Sequence, residues 1–112
     1  MSVYKKMIKV MDECDVDSYI DMLHDNYVFV RHQSSQNVSK EEWKPTVTGM
    51  FNAMKEGSLK WEKNRCIYEN DDILVMHNFG NFPDGTKESI IVVHYLEGGK
   101  IIKTESGATP IN

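Results

Sequence analysis

The sequence from Leu59 to Ala108 decides the fold. It contains four runs with the composition of β-strands: LKWEKNRCIYE (59–69), ILVMHNF (73–79), KESIIVVHYL (87–96) and KIIKTESGA (100–108). The residues between them include the pairs Asn70-Asp71, Asp84-Gly85 and Gly98-Gly99. Asn, Asp and Gly tolerate the positive φ angles that two-residue hairpin turns require. The stretch is therefore predicted to form a four-strand antiparallel meander.

Two-residue turns would set the register of this meander by counting. They pair Val75 with both Cys66 and His94, and His94 with Lys103. Because side chains alternate between faces, this register sorts the whole sheet. One predicted face carries Cys66, Tyr68, Ile73, Val75, His77, Phe79, Ile90, Val92, His94, Ile101, Lys103 and Glu105. The other predicted face carries Ile67, Leu74, Met76, Ile91, Val93, Tyr95, Ile102 and Thr104.

Both predicted faces are rich in apolar side chains, whereas the strands of a sheet with one solvent-exposed face should alternate apolar and polar residues. Each face of the sheet is therefore expected to pack against another part of the structure. Helices from the first half of the chain can cover one face. A second copy of the chain is the expected cover of the other, which predicts a homodimer through the outer sheet face.

Helical periodicity dominates the sequence before the meander. Residues 2–13 are predicted to form an amphipathic helix, and Asp15 is a plausible N-cap for a second helix that ends at residues 24–26. A capping box, SKEE at 39–42, predicts the start of a third helix, and Gly57 predicts its end. Pro45 predicts a kink in this helix or its division into two short ones.

The remaining segment predicts the first strand. Residues 27–33 (YVFVRHQ) have strand composition, and residues 34–38 form a loop or a turn into a short edge strand. The resulting order is helix, helix, strand, helix and meander. It predicts an α+β fold, with helices on one side of a sheet of about five strands, in a single domain spanning residues 1–112.

Composition and charge argue against several classes of function. The net charge is −4 with no basic stripe, which argues against a nucleic-acid partner. No apolar run approaches the roughly 20 residues that span a bilayer, and the N-terminus lacks the apolar core of a signal peptide. Cys14 and Cys66 are isolated and lack CxxC spacing, so they are expected to be free thiols in a reducing cytoplasm.

Several segments together resemble the nuclear transport factor 2-like superfamily and, within it, small bacterial SnoaL-like domains. They are LHDNYVFVRHQ, the Trp43-containing helix, RCIYENDDILVMH, FPDGT and GKIIKTESGATP, and they cover nearly the whole chain. The resemblance implies a strongly bent sheet that wraps the helices as a cone, with a pocket at its open end. It also implies that the last strand lies beside the first, which would bring Arg31 and His32 near residues 104–106. Homodimers through the outer sheet face are a further implication.

His32 and Glu105 are the candidate catalytic residues. A histidine at the expected pocket mouth titrates near neutral pH, so His32 can serve as a general base or bind a ligand. Burial would raise the pKa of Glu105 and suit it to proton abstraction, whereas an ion pair with Lys103 or Arg31 is the structural alternative.

The candidate ligand-binding residues are Arg31, Tyr19, His77, His94 and Trp43. Each of the last four also has a structural reading as a core or packing residue. No cofactor is expected. A metal site is not expected either, because the histidines and the glutamate lack a recognisable ligand spacing.

Two functions stay open at this point. One is a cofactor-independent enzyme, an isomerase, cyclase or dehydratase, that acts on a hydrophobic compound by proton transfer. Arg31 and Tyr19 would then hold the developing oxyanion. The other is a non-catalytic dimeric binding or accessory module. In both, the ligand is expected to be a small hydrophobic or carboxylate-bearing molecule.

Overall fold

A computed structural model describes residues 2–111, which form three helices and one six-stranded sheet. The helices are α1 (Val3–Asp12), α2 (Val16–Asp21) and α3 (Lys40–Glu56). The strands are β1 (Leu23–Arg31), β2 (Gln36–Ser39), β3 (Lys60–Glu69), β4 (Ile73–Asn81), β5 (Lys87–Glu97) and β6 (Lys100–Ile111). Their order in the sheet is β2-β1-β6-β5-β4-β3, and the sheet curls around the helices without closing. The predicted α+β architecture is confirmed, with β2 as an additional edge strand.

The start of α2 and both ends of α3 are where the local signals place them. Asp15 accepts a hydrogen bond from the Ser18 N–H, and the capping box between Ser39 and Glu42 is formed in both directions. Gly57 ends α3 in the left-handed conformation, with φ of 81°. These contacts satisfy backbone groups that would otherwise lack partners at the helix ends.

The predicted end of α2 and the predicted division of α3 are wrong, and a kink at Pro45 stays a prediction. Helix α2 ends at Asp21, before the predicted 24–26, because Leu23 is already fully buried in β1 and pairs with Ile101 of β6. Helix α3 is not divided at Pro45. Trp43 and Val47 are buried on either side of Pro45, so core packing holds the helix together across the missing hydrogen bond.

The predicted register of the meander is wrong by one residue over most of its length. The β4–β5 loop spans five residues, 82–86, so His94 lies opposite Leu74 rather than Val75. The Gly98-Gly99 turn has two residues as predicted, but the register shifts between Tyr95 and Leu96, and His94 then pairs with Thr104 rather than Lys103. A β-bulge of this kind leaves one extra residue on one strand and exchanges the faces beyond it.

The corrected register separates residues that were predicted to share a face. The inner face, which meets the helices, carries Leu74, Met76, Asn78, Ile90, Val92, His94, Thr104 and Ser106. The outer face carries Ile73, Val75, His77, Phe79, Ile91, Val93, Tyr95, Lys103 and Glu105. The core therefore lies between the inner face and the three helices.

Strand β1 lies beside β6, as the resemblance implied, and the two strands run parallel. Arg31 pairs with Ser106, and the His32 N–H donates to the Ser106 carbonyl at 3.0 Å. This pairing brings together two segments that lie about 75 positions apart in the sequence.

The outer face leaves large apolar side chains open to solvent. Tyr68 is 56% exposed and Ile91 is 48% exposed. The second cover for this face stays a prediction. Among residues 2–111, no helix has the length and apolarity needed to cross a membrane.

Candidate functional site

A cavity of about 550 Å³ occupies the open end of the cone, between the helices and the inner sheet face. This volume falls within the range of about 300–1,000 Å³ typical of small-molecule sites. The apolar lining is Met7, Met11, Phe29, Trp43, Val47, Met50, Phe51, Met54, Leu59, Trp61, Met76, Phe82, Ile90 and Val92. The groups with polar atoms facing it include Tyr19, Arg31, Gln33, Asn78, Glu88, His94, Thr104 and Ser106.

Aromatic and methionine side chains build the walls. Phe29 and Trp43 stack with ring centroids 4.1 Å apart and planes 9° apart. Nearer the mouth, the Trp61 indole N–H donates to the Met54 sulfur at 3.3 Å. A Cβ at Gly80 would lie 2.9 Å from the Trp61 ring and 3.0 Å from the Phe82 ring, so glycine at this position leaves room for both rings. Flat rings and flexible thioethers make a wall that adapts to an apolar ligand.

A polar group from α2 lies at the deep end of the cavity. The buried Trp43 indole N–H donates to the Tyr19 phenol oxygen at 3.0 Å. The Tyr19 oxygen is thereby an acceptor, and its own O–H proton stays available for another acceptor. Burial raises the pKa of Tyr19 and of the neighbouring Tyr27, so both phenols are neutral near pH 7. The Tyr27 hydroxyl is buried beside the Tyr19 and Thr104 hydroxyls, and it meets neither of them at hydrogen-bonding geometry.

His94 is the titratable residue at the deep end. It is 6% exposed, and its Nδ1 shares a hydrogen bond of 2.7 Å with the hydroxyl of Thr104. Burial lowers its pKa to about 4, so the ring is neutral near pH 7. Because Thr104 occupies Nδ1, Nε2 is the ring nitrogen left for a ligand.

Arg31 lies at the mouth of the cavity. It is exposed, and its guanidinium carbon sits 5.9 Å from the centroid of the Phe29 ring. Glu88 of β5, on the same inner face, also lines the cavity. The mouth therefore carries one cation and one anion, on different strands.

Four of the predicted ligand-binding residues, Arg31, Tyr19, His94 and Trp43, line this cavity. His77 does not. On the outer face its Nδ1 accepts from Arg65 Nε at 3.1 Å, and its Nε2 lies 2.8 Å from the Ser89 hydroxyl. The prediction that His77 shares a face with His94 is wrong, because of the one-residue shift between β4 and β5.

The two predicted catalytic residues also lie outside the cavity lining. Glu105 is on the outer face, where it accepts from the Tyr95 hydroxyl at 2.9 Å and pairs with Lys103 at 3.5 Å. The bond from Tyr95 and then the Lys103 cation lower the pKa of Glu105, as in the ion-paired alternative that the sequence left open. His32 alternates with Arg31 and lies by Gly107, on the outer side. A catalytic role for either residue stays an untested prediction.

Sequence reasoning missed part of the lining. Asn78, Gln33, Glu88, Ser106 and Phe82 were not singled out, although Asn78 and Ser106 follow from the inner-face alternation once the register is known. Among residues 2–111, no group of three or more His, Cys, Asp and Glu side chains could hold a metal ion.

No family model matches this sequence, and no curated protein matches it. Solved structures do resemble the fold. An NTF2-like protein of unknown function from Cytophaga hutchinsonii has a TM-score of 0.74 at 12% identity, covering 97% of this chain and 92% of that one. A SnoaL-like protein of unknown function from Burkholderia thailandensis gives 0.72 at 13% identity, with 95% and 90% covered. A putative ketosteroid isomerase from Kribbella flavida gives 0.75 at 9% identity, with 96% and 76% covered.

Proposed function

The chain has the nuclear transport factor 2-like fold, and on that fold we propose that it binds a small, mostly apolar molecule in the cone. The cavity of about 550 Å³, lined by aromatic rings and methionines with few polar groups, carries this proposal. Such a lining suits an apolar body, and the neutral His94 and Tyr19 at the deep end suit a carbonyl or hydroxyl oxygen.

Proton transfer is the second candidate, and His94 is the cavity residue that would serve as its base. An efficient general base has a pKa near the working pH. Burial holds the pKa of His94 at about 4, which makes it a weak base near pH 7. Ligand binding is therefore the first candidate function and catalysis the second. A ligand that raised the pKa of His94 toward 7 would make catalysis the first candidate.

Filling the cavity should weaken the binding of an apolar probe. Val92 lines the cavity, whereas its neighbour Val93 lies on the opposite face of β5. With the neutral probe N-phenyl-1-naphthylamine, Val92→Trp should weaken binding by at least about tenfold, because the indole takes the space that the ligand needs. Titration calorimetry and probe fluorescence measure the change.

Val93→Trp is the matched control, and its affinity for the probe should equal that of the wild type. Chemical denaturation checks that both variants fold. Should Val92→Trp fail to fold, Ile90→Trp with Ile91→Trp provides a second inner and outer pair. Probe affinity that is unchanged in both inner variants, or absent from the wild type, would refute the proposal.

We also propose that two copies of the chain pair through the outer sheet face. The exposed Ile91 and Tyr68 support this, because contiguous apolar surface of this kind is typical of interfaces.

Ile91→Glu should convert a dimer into a monomer, since it would bury two carboxylates in the contact. Sedimentation equilibrium measures the mass, with Glu97→Gln at the far end of β5 as control. A wild-type chain that sediments as a monomer would contradict the idea.

A further inference from the structure

Among residues 2–111, Arg31 is a cation on the cavity wall without an anionic partner. The ion pairs within residues 2–111 join lysines to carboxylates and leave Arg31 out. Its guanidinium contacts the face of Phe29, at 5.9 Å from the ring centroid. A charge-assisted bond to Arg31 would therefore have to come from outside the described chain.

Phe29 and Ser106 are the neighbours of this guanidinium on the cavity wall. Phe29 cannot easily turn, because it is stacked on the buried Trp43. On the neighbouring strand, Ser106 pairs with Arg31 and lines the same cavity, which adds a hydroxyl donor. Gln33 is already engaged, since its amide donates to the Ala108 carbonyl at 3.0 Å. Arg31 and Ser106 thus form a pair of donors that faces the cavity.

Glu88 limits how many charges a ligand can carry. Val92 lies in the same cross-strand row as Arg31, and Glu88 is four residues further along β5, roughly 13 Å at about 3.3 Å per residue. An anion at Arg31 is therefore well separated from Glu88. A second anionic group at the far rim would meet the Glu88 carboxylate and be repelled.

We propose that the ligand is an apolar monoanion, such as a carboxylate on a ring or chain body, and that Arg31 is the residue that selects its charge. The body would lie against Trp61, Phe82 and Met54, and the anionic group would accept hydrogen bonds from Arg31 and Ser106. This inference rests on the proposed binding function and adds the charge of the ligand to it.

Two fluorescent probes with nearly the same skeleton test separately whether the cavity binds an apolar molecule and whether it prefers an anionic one. 1-Anilinonaphthalene-8-sulfonate carries one negative charge, and N-phenyl-1-naphthylamine is the neutral counterpart. The anionic probe should bind about tenfold more tightly to the wild type, as expected for one charge-assisted hydrogen bond. Its affinity should fall as salt is added, whereas that of the neutral probe should not.

Arg31→Gln should reduce the affinity for the anionic probe about tenfold and leave the affinity for the neutral probe unchanged. Lys103→Gln is the matched control, since it removes the same charge from the outer face and should change neither affinity. Decanoate and 2-naphthoate as competitors then distinguish a fatty acid from an aromatic acid as the source of the monoanion. Displacement of the anionic probe by either one supports the inference.

The outcomes distinguish the role of Arg31 in charge selection from the proposed binding of an apolar molecule. Failure of the neutral probe to bind would remove the binding function itself. Binding of the neutral probe with no preference for the anionic one, or equal losses in Arg31→Gln and Lys103→Gln, would overturn the role of Arg31 alone. Displacement by neither acid would overturn it as well.

Discussion

The free energy of unfolding should fall by about 3 kcal/mol as the pH is lowered from 6.5 to 4, because of His94 alone. Burial lowers the pKa of this histidine from 6.5 to about 4. The unfolded chain therefore takes up the proton first, and protonation favours unfolding in this interval. The contribution is fully present above pH 6.5 and is lost as the pH falls toward 4, at about 1.36 kcal/mol per pH unit.

Urea denaturation at a series of pH values measures this decline. His94→Gln should have a shallower dependence than the wild type between pH 6.5 and 4, since glutamine does not titrate. The slope is the readout, because the substitution also changes the stability near pH 7 by disturbing the bond to Thr104. His32→Gln is the control, and it should keep the decline because it leaves the buried His94 and its bond to Thr104 in place. Equal slopes for His94→Gln and the wild type would contradict the prediction.

Nuclear magnetic resonance titration of His94 decides between the two candidate functions. A pKa near 4 in the protein with and without the neutral probe favours binding over catalysis. A pKa that moves close to 7 when the probe is bound would favour proton transfer, since the ring would then be a competent base.

Trp43→Ala should cost about 3–5 kcal/mol of stability, the range for removing a large buried aromatic side chain. Trp43 is 6% exposed, stacks on Phe29 and donates to Tyr19. Its loss leaves a void between α3 and β1 and an unpaired phenol on α2. Chemical denaturation at pH 7.5 measures the change, above the range where His94 titrates.

Two further variants show which part of Trp43 matters. Trp43→Phe keeps a ring against Phe29 but removes the N–H, and should cost about 1–3 kcal/mol for the unsatisfied Tyr19 oxygen and the lost volume. Trp61→Ala is the comparison for a tryptophan at the mouth, which is half-buried and should cost less. A Trp43→Ala chain that loses no more stability than Trp61→Ala would show that this stack does not hold the core.

Much of the architecture could be predicted because its signals are local. The Ser39–Glu42 capping box, the Gly57 helix end and the Gly98-Gly99 turn each depend on residues within a few positions of one another. Strand composition and helical periodicity likewise act over short windows. The order of elements follows from such signals, and the resemblance built on them implied the cone and the pairing of the first strand with the last.

The composition of the candidate site could be predicted only in part. Arg31, Tyr19, His94 and Trp43 were identified, and the cavity contains all four. Glu105 was assigned to the inner face with His94, yet it lies on the outer face beside Tyr95. This error came from the register, since the residue types alone fitted both environments equally well.

By itself, then, the sequence determined the helices, the strands and their order, through contacts between residues close together in the chain. Only the tertiary structure decided which side chains line the cavity. The bulge next to Tyr95 and the five-residue loop at 82–86 each shift the pairing by one residue. Because side chains alternate with a period of two, one such shift exchanges the two faces of a strand. Where these shifts fall is seen only in the paired strands of the folded sheet, because no single residue type in the sequence marks them.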